Sequence, residues 1–126
     1  MKEFITYLSG KIEEGKAETA SLQAEGRTDD ANFAKVRTNI YDVCRTVSQV
    51  LINRPGADTG AIRAQLERFR TEWGTALEKA KQHDNINGIA VEETKLAALD
   101  DIIAHFQEVA ECRECQKSKS WNGRSF

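Results

Sequence analysis

Residues 29–56 read DDANFAKVRTNIYDVCRTVSQVLINRPG, and within them Phe33, Val36, Ile40, Val43, Val47 and Val50 recur at alternating spacings of three and four. That rhythm matches the 3.6-residue turn of an α-helix and gathers the six apolar side chains on one stripe. Asp29 stands where a cap belongs, and Asp30 adds negative charge at the positive end of the helix dipole. Asn53-Arg54-Pro55-Gly56 closes the segment, because proline removes a donor and restricts its predecessor. The stretch predicts an amphipathic helix with the valine-rich stripe against a core.

The same rhythm continues on both sides. Upstream, Ile5, Leu8, Ile12, Gly15, Thr19 and Leu22 form a seam from about Lys2 to Glu25, with Gly26 as a natural stop. Gly10 and Gly15 each cost about 1 kcal/mol relative to alanine, so this helix depends on tertiary packing. Downstream, Asp58 or Thr59 can cap a third helix carrying Ile62, Leu66, Phe69, Trp73, Leu77 and Ala80 as far as Gln82. His83 to Gly88 reads as a loop. A fourth helix begins near Ala90 and runs through Leu96, Leu99, Ile103, Phe106 and Ala110 to about Cys115, its stripe widened by Ile102 and Val109.

Short connections between helices of similar length place neighbours antiparallel. The expected fold is all-α: an up-down-up-down antiparallel four-helix bundle over residues 1–115, followed by a short non-helical tail, 116–126. In that arrangement the first and third helices run parallel, and Trp73 is expected to fill the space left by Gly15. The segment Glu25 to Ala31 resembles the inter-helix turns of helical-repeat proteins, but no second copy occurs at a fixed period, which disfavours a solenoid.

With 126 residues, 40% hydrophobic and 30% charged, the chain is long and apolar enough to bury one core. A net charge of −2 argues against nucleic acid as a partner. The basic residues of the third helix point the same way, since Arg63-Glu67 and Arg68-Glu72 are spaced to pair with each other. No stretch approaches the ~20 apolar residues of a membrane span or the apolar core of a signal peptide, so the expected location is cytoplasmic, away from membranes. Three unevenly placed cysteines suggest reduced thiols.

Cys112-Arg113-Glu114-Cys115 is a C-x-x-C, and His105 lies seven residues before Cys112 on the same helical face. These three are the candidate zinc ligands, with Cys44 on the second helix as a further thiol at a similar height. Redox chemistry fits less well, because the cysteines sit at a helix C-terminus, where the dipole opposes a thiolate. His105 as a phosphoacceptor lacks the lysine and glycine that usually come after such a histidine. Ala80 and Ile102 stand three residues before the two histidines, where a carboxylate-bridged di-iron bundle needs glutamates. The signature loops of nucleotide-binding proteins and hydrolases do not occur. Trp121-Asn122-Gly123 matches the W-x-G tripeptide of small secreted helical-hairpin proteins, but there it marks the turn between two helices and here it falls in the tail.

Two functional expectations result. The first is a non-enzymatic interaction or assembly module that needs no cofactor and binds another protein or its own copy, with Trp121 and Phe126 as aromatic anchors. The alternative is a zinc-dependent sensor or regulator using Cys112, Cys115 and His105.

Overall fold

The computed structural model describes residues 2–56 and 58–123, with side chains as far as Ala110. Four helices account for nearly all of it: α1 (Lys2–Ala24), α2 (Thr28–Ile52), α3 (Thr59–Gln82) and α4 (Ile86–Gly123). Each turn has an identifiable local cause. Gly26 adopts φ 76°, and Arg27 N–H and Gly26 N–H reach back to the carbonyls of Leu22 (2.9 Å) and Gln23 (3.1 Å), the Schellman pattern that ends α1. Asp84, at φ 50°, does the same for α3, with Asn85 N–H bonded to the Ala80 carbonyl at 3.0 Å. The Asn85 side chain then accepts from Gly88 N–H at 3.0 Å and starts α4 at Ile86. One residue thus closes one helix and opens the next, which is why the loop is shorter than the expected His83 to Gly88.

Asp58 caps α3 by accepting from Ala61 N–H at 3.1 Å, one of the two expected choices. At α2 the expectation is corrected. Arg27 is the cap residue and makes no side-chain cap bond, while Asp29 and Asp30 both lie inside the first turn. Arg27 pairs instead with Asp30 at 2.8 Å. The non-helical tail expected from Gln116 is also corrected, since α4 stays helical through Gly123. Gln116 to Ser120 contains no proline or glycine, and Gly123 is the first strong helix breaker that the helix meets after Cys115.

Sequential helices pack antiparallel, α1 on α2 and α3 on α4, as in the expected up-down-up-down bundle. The two pairs meet mainly through α2 and α4, with smaller contacts of α1 with α4 and of α2 with α3. The cross-section is therefore a rhombus with α2 and α4 on its short diagonal, and among the described residues α1 does not touch α3. The core runs along that diagonal, with Phe4, Leu8 and Ile12 of α1, Ile62 and Leu66 of α3, and Leu99, Ile102 and Phe106 of α4. Burying each such side chain contributes about 1.5–3 kcal/mol. Phe4 and Phe106 meet edge to face, ring centroids 5.2 Å apart.

This geometry overturns two expectations. Trp73 does not fill the space beside Gly15, because α1 and α3 are held apart by the diagonal. Gly15 faces Thr38 of α2, whose side chain occupies the place a Cβ would need, and Trp73 stacks on Phe69 at 4.9 Å. The valine-rich stripe of α2 is only in part its core face, since Ile40 is buried and Phe33, Val36 and Val47 are half-buried. Ala31, Ala34, Ile40, Tyr41, Cys44 and Ser48 are buried, whereas Val43 and Val50 remain 40% and 52% exposed.

Candidate functional site

The most organised polar cluster joins three helices. Tyr7 on α1 and Tyr41 on α2 each donate a phenolic hydrogen bond to the same oxygen, Asp101 Oδ2 on α4, at 2.7 Å and 2.8 Å. One turn further along α4, the His105 imidazole lies flat on the Tyr7 ring, centroids 3.6 Å apart and planes 7° from parallel. Burial, reinforced by the bond to Asp101, pushes the Tyr7 phenol well above its ordinary value, and the same causes raise Tyr41 to about 12. The Tyr7 hydrogen bond, seconded by Tyr41, holds Asp101 below the usual carboxylate value against the opposing effect of burial. At neutral pH both phenols are protonated donors and Asp101 is an anion accepting from both. The arrangement locks three helices in register, and it ties up the groups that acid–base chemistry would need.

His105 is thus stacked on Tyr7, and Asp101, one turn before it on α4, is engaged by two phenols. The side chains of Cys112 and Cys115, its expected companions in a zinc site, lie outside the described residues, as does that of Trp121 and all of Phe126. Among the described residues, no three His, Cys, Asp or Glu side chains converge on a metal-sized space. Cys44 sits in the core, where burial raises its thiol to about 12 and so disfavours the thiolate a metal would bind.

A second cluster joins α3 to α4. Lys95 Nζ lies 4.9 Å from the centre of the Trp73 ring and 3.3 Å from the Glu92 carboxylate. Glu92 Oε2 is buried and out of line for a hydrogen bond even at that distance. The basic residues of α3 reach across to α4 as well, with Arg70 paired to Asp100 at 3.1 Å and Arg63 over the Phe106 ring at 5.8 Å. The expected Arg63-Glu67 and Arg68-Glu72 pairs do not form among the described residues, and Arg63 turns to the Phe106 ring of α4 instead.

The surface feature with the clearest capacity to bind lies on α2. Val36, Val43 and Val50 are spaced seven residues apart, two helical turns, and so form a line that runs from the half-buried Val36, at the groove shared with α4, to the exposed Val43 and Val50. Asp29 and Asn32 continue that line at one end, and Arg54 extends its other end in the turn after α2. Beside the Asp29 end opens a cavity of about 330 Å³, lined by Asp29, Asn32, Phe33 and Val36 of α2 with Asn87 and Val91 of α4. Ile86, at the start of α4, is 81% exposed. Periodicity flagged these valines as apolar and in line but assigned them to the core; their exposure stems from the rhombic packing, which no local pattern encodes.

No protein family, curated protein or solved structure matches this chain. Among the described residues, no helix is long and apolar enough to cross a membrane.

Proposed function

We propose that the chain is a non-enzymatic protein interaction or assembly module whose docking surface is the outward face of α2. The observation that supports this reading is the exposure of Val43 and Val50, 40% and 52%, on a helix already packed against three others. Single apolar residues on a surface need no explanation, but an ordered line of them beside a cavity favours a binding face. The polar clusters support it indirectly, because their charged groups are occupied in joining helices. Trp121 and Phe126 would add aromatic anchors at the far end of the chain.

The test is a Val43→Asp, Val50→Asp double variant expressed in the native cells. It should fold like the wild type, since both sites are exposed, while losing whatever co-purifies with the wild type under mild conditions, a differently tagged copy of the chain included. Retention of that companion would sink the reading. Elemental analysis of the same preparation tests the alternative, since zinc stoichiometric with Cys112, Cys115 and His105 would favour a metal-dependent regulator.

A further inference from the structure

We propose that the partner seated on the outward face of α2 is a second copy of this chain, docked antiparallel about a two-fold axis at Val43, with Arg54 of the partner subunit at the Asp29 cavity. The proposal rests on the reading of α2 as a docking face and adds the identity of the occupant. It comes from the symmetry of the residue line. Val36 and Val50 each stand seven positions from Val43, and Asn32 and Arg54 each stand eleven. A two-fold axis through Val43 therefore sets Val36 against Val50 of the partner subunit, and brings the turn that carries Arg54 of the partner subunit to the Asn32 end. Apolar groups meet apolar groups, and the polar ends meet each other.

The charges complete the match. Asp29 stands in the first turn of α2 and Arg54 in the turn after its last residue, so the two lie at opposite ends of a helix about 37 Å long at 1.5 Å per residue. Reversal of the second copy brings its guanidinium to within a turn of this copy's carboxylate, twice over, whereas a parallel arrangement would oppose like charges. Both side chains are exposed, and neither has an ion-pair partner among the described residues, although Asp30, next to Asp29, is already paired with Arg27. The cavity at the Asp29 end offers what an arginine uses: a carboxylate, the amides of Asn32 and Asn87, and the apolar walls of Phe33, Val36 and Val91 for its methylene stem. An isologous interface requires one patch to be complementary to itself, and this patch is.

The full-length chain should be studied by sedimentation equilibrium from about 10 to 500 µM, a range suited to a narrow, weak interface. The expected result is a mass rising from 14.1 kDa towards twice that value. Val43→Asp places two carboxylates against each other on the axis and should hold the chain monomeric, with unchanged helicity and the melting temperature of the dilute wild type. Asp29→Arg and Arg54→Asp should each weaken association about tenfold or more, and combining the two should restore it to within about threefold, because the swapped charges then face each other again. A wild type that stays at 14.1 kDa throughout overturns the second copy as occupant. A dimer that survives Val43→Asp, or a double charge swap that fails to recover, overturns it as well. These results are separable from failure of the underlying reading, in which the double aspartate variant keeps its cellular companion.

Discussion

The two sides of α2 differ less in hydropathy than in exposure. The side turned to α1 and α4 carries Ala31, Ala34, Ile40, Tyr41, Cys44 and Ser48, all buried, while the side turned outward exposes Val43 and Val50, with the half-buried Val36 at its edge. Small side chains are chosen where helix axes come close, as at the Gly15 and Thr38 contact, and the larger valines would hold the helices apart there. Apolarity alone does not decide burial on this helix: Ile40 and Tyr41 are buried beside Ala31, Ala34, Cys44 and Ser48, while Val43 and Val50 are left exposed and available to bind.

Substitutions on each side can break or sharpen that contrast. The largest effect belongs to Ile40, which is 5% exposed and belongs to both the expected stripe and the observed core. Ile40→Ala should cost about 2–5 kcal/mol in a urea titration. A loss of less than about 1 kcal/mol would mean that the core does not run along this side. Gly15→Ala comes next. A methyl group there collides with the Thr38 side chain, an overpacking cost of about 1–3 kcal/mol that outweighs the helix-propensity gain. Gly10→Ala, where nothing lies within 4 Å, should instead gain up to about 1 kcal/mol, and Thr38→Ala should relieve the Gly15→Ala variant.

Tyr41→Phe removes one of the two hydrogen bonds to Asp101 and should cost about 1 kcal/mol at neutral pH. It should also alter the alkaline limb. Below the ordinary tyrosine value of 10.0 the phenol is protonated whether folded or unfolded, and its contribution is complete. From there to about 12 the unfolded chain loses the proton first, so stability falls as pH rises. Tyr41→Phe should flatten that fall, with Tyr7 accounting for the remainder; an unchanged slope in melting temperature against pH would contradict the buried geometry. The smallest effect is expected at Val43. Val43→Ala should change the stability of the monomer by no more than about 0.5 kcal/mol, and a loss above about 1.5 kcal/mol would place that side chain in the core.

Helix number, order and most boundaries were legible because they depend on local chemistry: Gly26 and Pro55 interrupt the rhythm, and Asp58 caps α3. The direction in which α2 faces was only partly legible, since the same rhythm carries the buried Ile40 and the exposed Val43 and Val50, and only the packing against α1 and α4 separates them. The Tyr7, Tyr41 and Asp101 cluster was hidden for another reason. Its members are separated by 94 and 60 residues and share no motif, so only the assembled bundle brings them together. His105 drew notice as a histidine on α4, yet its partner is an aromatic ring on α1, which no metal-ligand spacing would suggest.

The pairing of neighbours in the bundle has a kinetic consequence. Most contacts join α1 to α2 and α3 to α4, each across a turn of only a few residues, so two helical hairpins can form from nearly local encounters. Little loop-closure entropy opposes them, which places the chain among fast-folding topologies. The slower event is the meeting of the two hairpins along α2 and α4, which aligns Tyr7 and Tyr41 with Asp101. Its reversal, swinging about the Asn53-Arg54-Pro55-Gly56 turn, separates the hairpins without unwinding either. In native-state hydrogen exchange, amides of α1 and α2 should therefore open together as one cooperative unit and those of α3 and the first half of α4 as another.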